Sequence, residues 1–278
     1  MVEPADAEIR VTDDTSRLVL RGCRGADYVA DAAGYQEDAM IALLGITDGG
    51  LVRSGRLALG RRIDAPGLLD LRIGQTARLR DSLVPDIAFG RLGIISFWDD
   101  DDSLDEFLTN GDRTGRGDRL AESLREGWMT RLRPLRVHGA WPGLPEDTPT
   151  ARHVEGDGPV VVLTIGNLRV LRSWPWRRAS IKAEGDLANA EGLIWAMGMS
   201  QPPRFVATMS VWESAEATQA YAYGANGAHH RAIQAKRATP FMHQEAFIRF
   251  QPYASTGSLD GNPALADDWL RSRLPAGS

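Results

Sequence analysis

Two segments of the chain resemble each other, and this internal repeat constrains the fold more than any other feature of the sequence. SFWDDDDSLDEF in the first segment matches SVWESAEATQAY in the second, so Trp98 and Trp212 each end an apolar strand and precede a helix that starts with acidic residues. The two tryptophans are 114 positions apart. Arg136 in PLRVHG and Arg249 in FIRFQP follow them by 38 and 37 positions, which indicates one residue of insertion between the copies. Such a repeat predicts two structurally similar halves.

The element order is clearest in the second half. Apolar runs rich in β-branched residues predict four strands, and helical spacing between them predicts two helices, in the order β-α-β-β-α-β. The strand-like runs are VVVLTIGNLRVL (160–171), LIWAMGMS (193–200), RFVATMSVW (204–212) and HQEAFIRFQPY (243–253). This order is ferredoxin-like, with an antiparallel sheet and both helices on one face. Two such halves predict an α+β fold in which the helix-free faces of two tandem ferredoxin-like repeats are buried together in an α+β barrel with outer helices.

Domain limits follow from the same patterns. Residues 1–58 carry little periodicity beyond one candidate strand, MIALLGI (40–46), so we place the first half at 59–143. The stretch 144–158 is rich in Pro, Asp, Gly and Thr, which is typical of a linker. The second half then occupies 159–255, and 256–278 is an acidic tail with Gly and Pro.

Composition excludes several classes of function. A net charge of -5 over 278 residues argues against a nucleic-acid partner. The single cysteine, Cys23, excludes an internal disulfide framework. We expect a cytoplasmic protein, since no signal peptide pattern and no run of about 20 apolar residues is present. No nucleotide-binding or serine-hydrolase motif occurs, and the oligomeric state is left open, a homodimer included.

A histidine pair is the most chemically distinctive feature of the second half. His229 and His230 have no imidazole counterpart in the first half, which suggests one site per chain. At helical spacing His229 lies on a stripe that includes Ala225 and Ile233 and ends at Lys236, where a flat ligand could rest, whereas His230 faces more polar neighbours. From spacing alone, a metal ligand and an ordinary solvated histidine both remain open.

A family resemblance favours the ligand. PPRFVATMSVW, GAHHRAI and HQEAFIRFQPYAS in the second half, and FWDDDDSLDEF and PLRVHGAWPG in the first, resemble the spheroidene monooxygenase family of carotenoid biosynthesis. The resemblance implies a heme protein of the dimeric α+β barrel type, a fold shared with aldoxime dehydratases, chlorite dismutases and small heme-degrading monooxygenases.

The resemblance also implies roles for particular residues. It places the axial ligand of a heme b iron at the histidine pair, and the apolar stripe favours His229, with His230 as the alternative. In small heme-degrading relatives a helix tryptophan and a strand asparagine lie near the heme, and the corresponding positions here are Tyr221 and Asn167. Further candidates are Lys236 and Arg237 as donors to the heme propionates, Ala225 and Ile233 as heme contacts, and His138 at a pocket rim.

The function expected from these features is a heme-dependent monooxygenase that oxidises an apolar small molecule, such as a carotenoid-like one, through dioxygen or peroxide activated at iron. Two alternatives stay open at this point. One is a heme-dependent dehydratase or rearrangement enzyme of the aldoxime dehydratase type, and the other is a heme or small-ligand binding protein without catalysis.

Overall fold

The computed structural model describes residues 17–21, 27–31, 40–59, 62–112, 115–144, 158–223, 241–259 and 267–272. The chain divides into two compact units, Met1–Ala39 and Met40–Ser278. The described part of the first unit is an antiparallel pair of strands, β1 (Arg17–Arg21) and β2 (Asp27–Asp31).

The second unit contains two consecutive sets of strands and helices. The first set is β3 (Ile41–Asp48), α1 (Gly50–Ala58), β4 (Leu68–Arg78), β5 (Asp86–Trp98), α2 (Asp101–Asn110), α3 (Arg116–Glu126) and β6 (Trp128–Gly139). The second set is β7 (Val160–Leu168), a 3₁₀ turn (Val170–Arg172), α4 (Ser173–Ala188), β8 (Leu193–Gln201), β9 (Phe205–Trp212), α5 (Ala215–Tyr223) and β10 (Met242–Thr256). A short helix, α6 (Asp267–Arg271), follows.

The strands form a closed antiparallel barrel in the order β10-β6-β3-β5-β4-β8-β9-β7. Within it each set keeps the ferredoxin-like order, β6-β3-β5-β4 and β10-β7-β9-β8, and the two sheets join at the β6–β10 and β4–β8 seams. The α+β barrel predicted from the repeat is therefore confirmed.

Alternation of side chains along each strand separates two apolar layers. The barrel interior holds residues such as Leu44, Phe97, Leu163 and Phe250, all essentially inaccessible to solvent. The opposite face of the first half packs against α1, α2 and α3 through a second cluster that includes Trp98 and Phe107. A third and smaller cluster lies under α4 and α5 in the second half.

The repeat is visible in individual contacts. The indole Nε1 of Trp98 donates to Ser96 Oγ at 2.8 Å, and that of Trp212 donates to Ser210 Oγ at 2.9 Å. Each tryptophan also packs on an aromatic ring nine residues later: Trp98 lies 5.1 Å from Phe107, and Trp212 lies 5.4 Å from Tyr221.

The helix starts repeat as well. Asp100 caps α2 by accepting from the Ser103 amide at 2.7 Å, and Ser214 accepts from the Ala217 amide at 3.3 Å at the start of α5. Both pairs are 114 positions apart, like the tryptophans.

The pairing of Arg136 with Arg249 as equivalent residues is wrong. Strand register makes Arg131 the counterpart of Arg249, because they pair with Leu43 and Val162, which occupy the same position in β3 and β7. Arg136 instead lies directly opposite Arg249 across the β6–β10 seam. The offset thus changes from 114 at the tryptophans to 118 at these arginines, so the second copy gains four residues before β10 rather than losing one.

Each of the two equivalent arginines interacts electrostatically with a carboxylate on a helix of its own half. Arg131 bonds Asp101 at 2.6 Å and also binds Asp105, both on α2. Although burial alone would lower its pKa, these hydrogen bonds raise the pKa of Arg131 above its usual value. On α5, hydrogen bonding by Ser214 lowers the pKa of Glu216, and the charge of Arg249 lowers it further.

The sequence placed the start of the first half at residue 59, whereas β3 and α1 already supply its first strand and helix. The apolar run at 40–46 is the centre of β3, which is buried along almost its whole length between β5 and β6. Helix α1 lacked a recognisable start because its N-cap, Gly49, makes no side-chain capping bond. In the predicted tail, Leu259 and Leu270 are buried in the interior cluster.

Candidate functional site

On β8 and β9 the outer face of the second-half sheet carries smaller side chains than the equivalent positions of β4 and β5, although Thr164 on β7 is larger than its counterpart Gly45 on β3. Ile73 and Ile94 pair in the first half, and the equivalent pair in the second is Gly198 and Thr208. The two isoleucines are at most 2% exposed, whereas Gly198 and Thr208 are half-buried. Side chains on the helix-facing surface of the second sheet therefore project less far from the backbone. We call this surface the small-residue face, defined by Ala196, Gly198, Thr208 and Thr164.

Close packing does not require the glycine at 198. A Cβ there would meet its nearest atoms, Ala77 O and Leu79 Cδ2, at 3.4 Å, which is an ordinary contact distance. The small side chains of this face are thus a property of the sequence and are not imposed by a backbone crossing.

Helices α4 and α5 bury few side chains against this face in the part of the chain that the structure describes. Among the described residues of α4, only Leu187 is fully buried, and the cluster beneath both helices contains just three further buried residues, Val160, Trp212 and Ala215. In the first half, by contrast, α2 alone contributes Leu104, Phe107 and Leu108.

A cleft adjoins the small-residue face at the β4–β8 seam. That seam has only three residue pairs, from Gln75↔Ser200 to Ala77↔Gly198, so the strands separate beyond it. The resulting cleft has a volume of about 260 Å³, and its exposed surface is more polar than apolar although most of its lining residues are apolar. Its lining comprises Arg78, Leu79, Ala188, Leu193, Ile194, Trp195 and Ala196. Trp195 also packs 6.0 Å from Trp128, which connects the cleft to the barrel interior.

Tyr221 lies above the small-residue face and joins two helices. Its hydroxyl donates to Ala183 O on α4 at 3.0 Å, and its ring packs on Trp212. Burial raises the pKa of Tyr221 to about 12, with the charge of Asp186 adding to the effect. A phenol with this pKa is a proton donor and not a base at neutral pH.

Asn167 and His138 lie elsewhere. Asn167 pairs with Phe205 and Gln244 and shares the interior-facing side of β7 with Ile165, so it lies at one mouth of the barrel. His138 is exposed on the outer face of β6, with its ring 6.4 Å from that of Phe247. The structure therefore does not bring Tyr221, Asn167 and His138 into one site.

A polar cluster at the same barrel mouth as Asn167 was missed from the sequence. Asp70 Oδ2 accepts from Arg72 Nε at 3.0 Å and from Trp141 Nε1 at 2.8 Å. The Arg72 guanidinium lies 5.2 Å from the Trp141 ring centre and 5.4 Å from that of Phe205. The HGAWPG turn was the available signal, but its partner in LLDLRI is 71 residues earlier. These groups satisfy one another, so we assign them to closing the barrel mouth.

The predicted heme residues Ala225, His229, His230, Ile233, Lys236 and Arg237 lie outside the described residues. Within the described ranges, no group of three or more His, Cys, Asp or Glu side chains could hold a metal ion.

Comparison with known proteins confirms the resemblance found in the sequence. The chain is 33% identical over 175 residues to a spheroidene monooxygenase of Rubrivivax gelatinosus, covering 62% of this chain and 64% of that protein. It is 22% identical over 176 residues to the spheroidene monooxygenase of Cereibacter sphaeroides, covering 63% of this chain and 53% of that one. The matched region thus spans less than two thirds of either relative. No protein-family model matches the chain.

Among solved structures, an aldoxime dehydratase in complex with butyraldoxime aligns with a TM-score of 0.44 at 9% identity, covering 77% of this chain and 79% of that one. An anthrone oxidase-like protein aligns with a TM-score of 0.31 at 13% identity, covering 81% of this chain and 96% of that one. Scores of this size carry no argument about function.

Proposed function

We propose that this protein is a heme-dependent monooxygenase that acts on an apolar small molecule. Support for oxygenase chemistry comes from the 33% identity to a spheroidene monooxygenase. A carotenoid-like polyene is the substrate class that this similarity suggests.

The observation that carries the location of the site is the asymmetry between the two sheets. The first half buries large aliphatic residues under its helices, whereas the equivalent positions of the second half carry small, half-buried residues. Evolution of one copy away from tight packing needs a replacement for the lost contacts, since an empty apolar volume is destabilising. A flat macrocycle on the small-residue face would supply them.

The described residues fit such a group. The face is of small side chains, and the predicted ligand His229 follows α5, which begins directly after β9. In this proposal His229 holds the iron, and Lys236 and Arg237 hold the propionates as charge-assisted donors. Bound heme would supply the capacity to activate dioxygen or peroxide for transfer of one oxygen atom.

The chain's own residues would orient the substrate and exclude water. Leu193, Ile194 and Trp195 line the cleft next to the small-residue face, where their side chains would contact part of an elongated apolar substrate. Tyr221 bonds the Ala183 carbonyl on α4 and packs on Trp212, which fixes the C-terminal end of α5 against α4 and β9.

The proposal is tested by rebuilding the first-half residue in the second half. Thr208→Ile should weaken heme binding about 5- to 150-fold, because overpacking a filled site costs about 1–3 kcal/mol. Heme is titrated into the purified full chain and the Soret band is followed. Thr256→Ile makes the same chemical change at an exposed position on β10 and should bind heme like the wild type.

Activity is then measured with a carotenoid in detergent, with and without oxygen. Oxygen-dependent product formation, lost in Thr208→Ile and kept in Thr256→Ile, is the expected result. Absence of a Soret band in the wild type under saturating heme would end the heme proposal, and turnover that persists without oxygen or peroxide would favour dehydratase-type chemistry.

A further inference from the structure

The start of α4 exposes apolar side chains that a water-soluble surface normally buries. Leu171 is 96% exposed, Trp174 is 61% exposed and Val170 is 50% exposed. They lie in the segment RVLRSWPWRR, which forms the 3₁₀ turn and the first turns of α4.

The β4–β5 loop adds two more apolar residues beside them. Leu83 is 46% exposed and Val84 is 75% exposed. Arg177, one turn after Trp174, fixes this loop: its Nε donates to Leu83 O at 3.3 Å and its Nη2 bonds Ser82 O. We call Val170, Leu171, Trp174, Leu83 and Val84 together the apolar tip.

Cations predominate on the α4 side of the tip, whereas the β4–β5 loop carries both Arg80 and the exposed Asp81. Residues 169–182 contain five Arg or Lys and no Asp or Glu, in a chain whose net charge is -5. Arg177 is occupied by Glu184 and the loop carbonyls. Arg172, Arg178 and Lys182 are exposed, and within the described ranges none of them has an ion pair. Trp174, Arg178 and Lys182 follow one another at intervals of four residues, so they share one side of α4.

We propose that the apolar tip and its three cations dock on the surface of an anionic lipid bilayer. The apolar residues enter the boundary between headgroups and acyl chains, and the arginine and lysine side chains bind lipid phosphates, as in other interfacial helices. None of the helices in the described ranges has the length and apolar character needed to cross a bilayer. The contact is thus peripheral, and it is independent of the heme.

Charge and side-chain type favour lipid over nucleic acid. The cations would suit either polyanion, but Leu171 and Val84, the most exposed members of the tip, are aliphatic and have no partner on a phosphodiester backbone. A tryptophan beside them is typical of the bilayer interface.

Flotation of the full chain with lipid vesicles tests the proposal. The chain should float with vesicles of phosphatidylcholine mixed with phosphatidylglycerol and stay behind with phosphatidylcholine alone. Replacing Arg172, Arg178 and Lys182 with Gln should lower the partition coefficient about fivefold per cation. Leu171→Ser combined with Trp174→Ser should remove most of the binding to mixed vesicles.

Matched controls change similar residues elsewhere. Leu51→Ser with Val52→Ser removes exposed apolar residues of α1, and Arg56→Gln, Arg119→Gln and Arg204→Gln together remove three exposed arginines. Both controls should float like the wild type. Lack of flotation of the wild type, or equal loss in test and control variants, would overturn the proposal, as would duplex DNA binding that disappears in the test variants while vesicle binding stays unchanged.

Discussion

Removing the hydroxyl of Ser210 should destabilise the whole barrel, because this hydroxyl accepts the hydrogen bond of the buried Trp212 indole. Trp212 is 2% exposed and Ser210 is 4% exposed, and the indole N–H donates to the hydroxyl at 2.9 Å. In Ser210→Ala the indole N–H is left buried without an acceptor, which costs about 1–3 kcal/mol. The second bond of the hydroxyl, to Val162 O at 3.4 Å, is long and adds little.

The free energy of unfolding is measured by urea titration followed by far-ultraviolet circular dichroism, and the thermal midpoint by calorimetry. Each kcal/mol should lower the midpoint by about 2–4 °C for a domain of this size. The same substitution in a Trp212→Phe background should cost much less, because phenylalanine has no N–H to leave unpaired.

Ser96→Ala in a Trp98→Phe background gives the parallel cycle in the first half, where the bond is 2.8 Å. Equal costs of Ser210→Ala in the tryptophan and phenylalanine backgrounds would refute the reasoning, because the hydroxyl would then act independently of the indole.

Three other outcomes are expected. His229→Ala should abolish or grossly alter the Soret band while His230→Ala retains heme, and spectra in the opposite order would move the ligand by one residue. Asp100→Ala should cost about 1 kcal/mol at neutral pH through loss of the α2 cap. The amide of Ser103 holds the pKa of Asp100 below its ordinary 3.8, so this cost should vanish in urea titrations as the pH falls through the folded-state pKa, and a pH-independent cost would contradict the cap. A chain cut near Gly156 should give halves that do not fold alone, since they share two barrel seams, and two separately cooperative fragments would contradict this.

Much of the fold follows from the sequence because strand and helix signals are strong where burial is two-sided. Trp98 and Trp212 mark equivalent strand ends, and the repeat around them predicts two ferredoxin-like halves and hence the barrel. Helix α1 is not predictable in the same way, because Gly49 gives no capping signal. The sequence alone does not identify Arg131 as the counterpart of Arg249, because strand register depends on hydrogen bonds between distant segments. Aligning Arg249 with Arg136 needs a smaller insertion between the two copies.

The candidate site is less predictable than the fold. The local sequence does not mark Gly198 or Thr208 as unusual. Their small size becomes informative only when strand register shows that they are equivalent to Ile73 and Ile94. Similarly, nothing in the sequence around Trp174 indicates that this large aromatic side chain is 61% exposed. Its exposure depends on which face of α4 packs against the sheet, and the local sequence does not determine that face.

The two seams of the barrel differ greatly in length. The β6–β10 seam pairs ten residues and the β4–β8 seam pairs three. The two halves are therefore held together strongly along β6–β10 and weakly along β4–β8. Local opening breaks the fewest interstrand hydrogen bonds at β4–β8, so backbone amides there should exchange with solvent sooner than those of β6 and β10.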